Sequence, residues 1–207
     1  MIDYLSTGAF LGLAAGFAPG PLLVLVIAET LRYNIKAGIK VALAPILTDL
    51  PIILGTVFIL TKLSQFKTFL GCICVLGGLF VSYLGYESLK TCGVEMDLAE
   101  SSSQSIRKGI VANALSPSPY LFWLSVGAPI MFKALKADLW AVTAFIASFY
   151  AFLVGSKIFL ALVVGRSRSF LKGRVYIGIM RILGLLLFFF ASLLWREGLG
   201  YFGFLKS

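Results

Sequence analysis

Six apolar stretches, each long enough to cross a bilayer and separated by polar segments, set the rhythm of the chain. They run from about Tyr4 to Thr30, Ile39 to Leu60, Phe66 to Leu89, Gly109 to Phe132, Leu139 to Val164 and Val175 to Leu194. A membrane helix needs about 20 predominantly apolar residues, so the pattern predicts six transmembrane helices. Lys90 to Lys108, with its Ser101-Ser102-Ser103-Gln104-Ser105 run, reads as a mobile polar loop, and Lys133 to Asp138 as a short turn.

Two of the six helices are predicted to be broken. Pro19-Gly20-Pro21 lies in the middle of the first stretch and Pro117-Ser118-Pro119 in the fourth. Each proline removes an amide donor and crowds the preceding turn, and glycine leaves the backbone free to bend. In hydrocarbon, freed backbone groups are tolerated only where they face protein or a watery cavity. The segments also align: Pro19-Gly20-Pro21-Leu22-Leu23-Val24-Leu25 against Pro117-Ser118-Pro119-Tyr120-Leu121-Phe122-Trp123. The third and sixth stretches end on the related Tyr86-Glu87-Ser88-Leu89 and Arg196-Glu197-Gly198-Leu199. Three spans per half is an odd number, so the second half enters the membrane upside down. Inverted repeats with matching helix breaks point to a transporter's binding site. The predicted fold is an all-α integral membrane protein of one domain, 1–207: repeat 1 about 1–90, a polar loop 91–108, and repeat 2 about 109–207.

Composition agrees with the lipid bilayer as the chain's main partner. Of the 207 residues, 59% are hydrophobic and 13% charged, roughly half the charged share of soluble domains. The net charge of +9 is better explained by basic cytoplasmic loops than by nucleic acid. Ten basic residues (Arg32, Lys36, Lys40, Lys90, Arg107, Lys108, Arg166, Arg168, Lys172, Arg174) fall on one side. Six (Lys62, Lys67, Lys133, Lys136, Arg196, Lys206) fall on the other. This bias predicts a multi-pass protein of the cytoplasmic (inner) membrane with both termini outside the cytoplasm. The N-terminus lacks the basic region of a secretory signal, so the first stretch is read as a retained span. There is no histidine, and Cys72, Cys74 and Cys92 form neither a disulfide framework nor a metal site. Buried thiols acting as small apolar residues are expected. No cofactor and no enzymatic activity are expected. A homodimer is compatible with the chain, though nothing in it requires one.

Candidate chemistry gathers around the two breaks. Asp49 sits near the middle of the second stretch, where a carboxylate costs about 2.5–3.5 kcal/mol on insertion scales and faces a pathway or a partner. Lys157, inside the fifth stretch, is either a snorkelling cation or a group that binds a substrate carboxylate or pairs with Asp49. A half-helix that restarts in the membrane presents free amides and about half a positive charge, which suits a carboxylate. A half-helix that stops presents carbonyls, which suit an ammonium. Two such breaks meet the needs of a zwitterion, and Asn113, Ser116 and Ser118 add an amide and hydroxyls. Glu29 and Glu87 read as solvated span ends. Trp123, Trp140 and Trp195 read as interface anchors, Trp123 alternatively as a cavity wall. Gly8, Gly12 and Gly16 have small-xxx-small spacing, which suits close helix packing.

These motifs resemble the LysE-type amino-acid exporter family, the lysine, threonine and homoserine efflux group. Gly16-Phe17-Ala18-Pro19-Gly20-Pro21 matches its Gly-x-x-Pro-Gly-Pro, and the basic turn Arg32 to Gly38 follows. Asp49 matches its acidic residue in the second span. Tyr83-Leu84-Gly85-Tyr86 and Lys108-Gly109-Ile110-Val111-Ala112-Asn113 match its third- and fourth-span signatures. The similarity covers essentially the whole chain. Leu22 stands where the family has Asn, Ser116-Pro117-Ser118 where it has Asn-Pro-Lys, and Thr48 where it has Gly. Lys157 is a candidate to replace the missing cation.

The resemblance implies a secondary exporter of amino acids or similar small zwitterions, with protons as the coupling ion. Its candidate pathway residues are Gly16, Pro19, Gly20, Pro21, Asp49, Asn113, Ser116, Pro117, Ser118, Pro119 and Lys157. No Walker-type phosphate loop is present, so ATP is not expected as a direct energy source. A cation or metal-ion exporter is the first alternative, although histidines and clustered carboxylates are lacking. A membrane thiol-disulfide conduit is the second, although neither break has a cysteine beside it.

Overall fold

The computed structural model describes residues 2–59, 63–90, 101–167 and 174–202, and every regular element among them is helical. In chain order these are α1 (Ile2–Phe17), α2 (Pro21–Arg32), α3 (Ile35–Ala42), α4 (Ala44–Ile59), α5 (Leu63–Leu89), α6 (Ser101–Ala114) and α7 (Pro117–Phe122). A π-helical turn (Trp123–Gly127) continues α7 into α8 (Ala128–Ala137), and α9 (Leu139–Ser167) and α10 (Arg174–Tyr201) follow. Four spans among the described residues are long and apolar enough to cross a membrane: Ile35–Gly55, Leu70–Leu89, Leu139–Ser167 and Val175–Tyr201. A fifth arises if α1 and α2 count as one span bent by 65°. The stretch expected as the fourth span is divided among α6, α7, the π turn and α8, and none of these is among the candidate spans of the described residues.

Both expected breaks are present. α1 stops at Phe17, and Gly20 is the extended N-cap of α2 (φ −179°, ψ 173°) with Pro21 in its first turn. Proline is tolerated there because that N–H would have no helical partner anyway. Ser116 plays the same part for α7, with φ −95° and ψ 133°. Pro45 makes no comparable break. It falls in the first turn of α4, and the residue before that helix, Leu43, keeps near-helical angles (φ −80°, ψ −13°).

Two expectations about polar segments are corrected. Residues 101–108 belong to α6 rather than to a loop, whereas 91–100 lie outside the described residues. The reason is a small, partly polar buried face: Ser105, Gly109, Ala112 and Asn113 recur at helical spacing and are all buried. A Cβ on Gly109 would come within 3.0 Å of Ala44 and 3.1 Å of Val41, so the close approach to α3 and α4 needs glycine. The expected turn at Lys133 is also helical, because α8 continues to Ala137 before Asp138 becomes extended (φ −173°, ψ 150°).

α1 lies along α9, and α5 along α10. Gly8, Gly12 and Gly16 are the buried residues of α1. A Cβ on Gly12 would collide with the Phe149 carbonyl of α9, so the small-residue stripe packs helix against helix. At the other pair, a Cβ on Gly85 would lie 3.0 Å from the Gly184 carbonyl, and one on Gly184 2.9 Å from the Gly85 carbonyl. Between these pairs, α4 and α3 pack on α6, and α2 on α3 and α9. Large apolar side chains such as Phe10, Leu50, Leu54, Phe159, Leu185 and Phe189 remain exposed on the outside of the bundle, as a lipid-facing surface requires. Of the thiols, Cys74 is buried as expected, but Cys72 is exposed; Cys92 lies outside the described residues.

Candidate functional site

A cavity of about 470 Å³ lies where the two breaks meet α4 and α9. That is within the usual size of small-molecule pockets, roughly 300–1,000 Å³. Nine of the eleven residues expected on the pathway line it: Pro19, Gly20, Pro21, Asp49, Asn113, Ser116, Ser118, Pro119 and Lys157. Gly16 and Pro117 do not. Gly16 is packed against Ser156 of α9, and Pro117 is buried in the first turn of α7. The remaining wall is mainly apolar, with Leu11, Leu22, Phe122, Val126, Phe149 and Leu153 among its members.

Asp49 is 4% exposed and is held entirely by neutral donors. The Asn113 amide donates to Oδ1 at 2.9 Å and to the Thr48 hydroxyl at 2.6 Å. The Trp123 indole N–H reaches Oδ2 at 3.4 Å and the Tyr150 hydroxyl reaches Oδ2 at 3.3 Å, while the Thr48 hydroxyl, which donates to the Ala44 carbonyl at 3.1 Å, lies 3.5 Å from Oδ1. Among the described residues, no lysine or arginine forms an ion pair with it. It is held by hydrogen bonds without a cation in direct contact, because the Lys157 ammonium on the same lining is bonded to the end of α1 instead.

Trp123 is a cavity wall and not an interface anchor, at 1% exposure. The π-helical turn carries it, and its ring lies over Gly127, where a Cβ would collide with the indole. π-bulges of this kind are frequent at functional sites. Phe122 stacks on Phe149 with ring centroids 4.9 Å apart and 14° between planes, and Trp123 meets Phe149 edge-on at 5.4 Å. These contacts fix the aromatic side of the cavity.

Lys157 is 4% exposed and does not snorkel. Its ammonium donates to the Gly16 carbonyl at 2.9 Å and the Ala15 carbonyl at 3.4 Å. These are among the last carbonyls of α1, which lack helical partners and carry the negative end of the helix dipole. Lys157 therefore caps the broken end from another helix. The carbonyl end of α6 is also closed from within, because the Tyr120 hydroxyl donates to Ala114 O at 2.8 Å. So the stopping ends, expected to be open to an ammonium, are both occupied. The restarting ends differ from each other. In α2 no side chain caps the first turn, and the Leu22 and Leu23 amides precede the first helical bond, Val24 N–H to Gly20 O at 3.2 Å. In α7, prolines at 117 and 119 leave only Ser118 with an N–H in the first three positions.

A second polar cluster was not anticipated. Glu29, expected to be a solvated span end, is 3% exposed. It accepts from the Ser105 hydroxyl and pairs with Lys108 at 3.2 Å. Lys108 also holds both oxygens of Glu87 at 2.8 and 2.9 Å, and Glu87 pairs with Arg32 at 2.6 Å. Burial works against the Lys108 ammonium, but the Glu29 and Glu87 carboxylates outweigh it and hold its pKa above the usual lysine value. Two cations and two carboxylates thus tie α2, α5 and α6 together. The cluster lies eight residues along α2 from Pro21, about 12 Å at helical rise. The signal available in the sequence was the pairing of charges at three span ends, but the spacing along the chain gave no means of choosing partners.

A family model described as LysE type translocator matches residues 13–198, most of the chain. No curated protein and no solved structure matches it.

Proposed function

The chain belongs to the LysE type translocator family and is a multi-pass membrane protein, and from that premise we propose that it is a secondary exporter of amino acids or similar small zwitterions, coupled to protons through Asp49. The observation that carries this reading is the state of Asp49. It is a buried carboxylate with three neutral donors and, among the described residues, no cation in direct contact, on the wall of a cavity between two broken helices. A buried carboxylate without a cation in direct contact is costly, so the site favours either a proton or a guest's ammonium. Exchange of one for the other at the same carboxylate couples the two fluxes.

The same reading takes the chain as six spans in two inverted repeats in the cytoplasmic membrane, with both termini outside. Several contacts support it. α1 on α9 joins the first and fifth spans, and the packing of α4 on α6 and α7 joins the second and fourth. An inversion that swaps spans one and four, two and five, and three and six converts one pairing into the other. α5 and α10 exchange with each other, as the reciprocal approach of Gly85 and Gly184 suggests. In this orientation the Glu29–Lys108–Glu87–Arg32 cluster closes the cytoplasmic end. The cavity draws Leu11, Val126 and Phe149 from the opposite halves of their spans. Loading from the cytoplasm then requires the charged cluster to part, a rocking of one repeat against the other.

The test is efflux from substrate-loaded vesicles containing the full chain, with a panel of amino acids, with and without a proton gradient. The parent should export at least one amino acid faster when protons flow inward, and Asp49→Asn should abolish the acceleration. Movement of a metal ion but of no amino acid would replace this reading with the cation exporter.

A further inference from the structure

Resting on the exporter reading above, we infer that the cavity selects net-neutral amino acids with an apolar side chain, and that Lys157 is the residue that sets this choice by binding the substrate carboxylate and excluding a second cation. Three features of the cavity lead there.

The first is the number of places for a cation. Among the described residues Asp49 is the one carboxylate on the lining, and its own partners add no positive charge. The carbonyl end of α1 would be the other natural seat for an ammonium, but Lys157 fills it. The carbonyl end of α6 is closed by Tyr120. One seat remains, for the α-ammonium.

The second is the place for a carboxylate. An ammonium has three donors, and the two carbonyl bonds of Lys157 leave one for a guest. Lys157 is itself on the lining, together with the hydroxyls of Ser116 and Ser118, which bind a carboxylate oxygen without adding charge. The formal charges of Asp49 and Lys157 cancel, so a zwitterion leaves the filled cavity neutral, whereas a dibasic substrate adds an uncompensated positive charge.

The third is the wall. Leu11, Leu22, Phe122, Val126, Phe149 and Leu153 present carbon to whatever extends past the two charged poles. Burial of a leucine or phenylalanine side chain there is favourable. A lysine side chain would have to leave its ammonium without a partner.

The experiment uses purified full-length protein, in liposomes for transport and in detergent for ligand-induced thermal shift. Labelled L-leucine and L-phenylalanine should be carried at least roughly tenfold faster than L-lysine, since a buried unpaired polar group discriminates by at least that factor. 3-Methylbutylamine, which is leucine without its carboxylate, should bind the parent at least about tenfold more weakly than leucine. In Lys157→Gln that gap should close, with leucine weakened and the amine unchanged or tighter. A Lys157 that only props up α1 would instead weaken both alike, and that result would overturn its assigned role. Lysine carried as fast as leucine by the parent would overturn the substrate class without any variant, and would leave the exporter reading standing. If no amino acid moves or binds, the exporter reading falls and takes this inference with it.

Discussion

The two ends of α2 pose the same electrostatic problem and solve it differently. Near its C-terminus, buried Glu29 has a cation, Lys108, in direct contact, and Lys108 is shared with Glu87, which is paired again with Arg32. Near its N-terminus, across the cavity, buried Asp49 has, among the described residues, only amide, indole and hydroxyl donors. A carboxylate matched by a cation of the same chain acts as a strut: removing the partner leaves a charge with nowhere to go. A carboxylate satisfied in hydrogen bonds but not in charge remains free to accept a partner from outside. Two residues that look alike in burial, 3% for Glu29 and 4% for Asp49, are thereby assigned different work.

The largest effects should come from exchanging these roles. Asp49→Asn should abolish proton-stimulated efflux while moving the thermal midpoint little. The amide keeps an oxygen for Asn113, and the loss of one or two weak bonds, about 1 kcal/mol each, is offset by the removal of a buried charge. Lys108→Met should do the reverse to stability. It strips Glu29 of its cation inside the bundle, and breaking a buried pair from one side costs about 3–5 kcal/mol. Denaturation of the purified protein should register that loss, and the double variant Glu29→Gln/Lys108→Met should recover much of it. If Asp49→Asn proved as destabilising as Lys108→Met, the contrast between guest site and strut would be lost.

An intermediate effect is expected at the packing that positions the cavity. Gly12→Leu drives a side chain into the Phe149 carbonyl, and overpacking of this kind costs about 1–3 kcal/mol. Because Phe149 and Leu11 both line the cavity, efflux should fall together with the thermal midpoint. A drop in efflux with an unchanged midpoint would mean that the α1–α9 contact is not what holds the wall.

What the sequence revealed was local, and what it concealed was pairing. Pro19-Gly20-Pro21 and Pro117-Ser118-Pro119 announce breaks because proline and glycine act on their own backbone, and both breaks stand where the residues put them. Asp49 stood out because a charge in an apolar run is conspicuous. The partner of Lys157 was not legible, because it is a backbone carbonyl 141 residues away and carbonyls carry no residue identity. Glu29 and Lys108, 79 residues apart, read in isolation as a solvated span end and a loop cation, and only the fold buries the one and joins it to the other. The start of α6 was missed because its buried face is Ser105, Gly109, Ala112 and Asn113, which hydropathy does not distinguish from loop.

The smallest expected effect is at Arg32, and it sharpens the comparison by grading the cluster internally. Arg32 and Glu87 retain 26% and 21% of their side-chain exposure, against 13% and 4% for Lys108 and Glu29. Water therefore screens the outer pair, and exposed pairs contribute about 0.2–1 kcal/mol. Arg32→Gln should lower stability by no more than about that amount, and added salt should shrink the difference from the parent, because partly exposed charges are screened. Lys108→Met should stay destabilising in the same salt, because its target is buried. Equal salt sensitivity in the two variants would mean that the cluster is one solvated surface network. The distinction between its buried core at Glu29 and its rim at Arg32 would then have no energetic content.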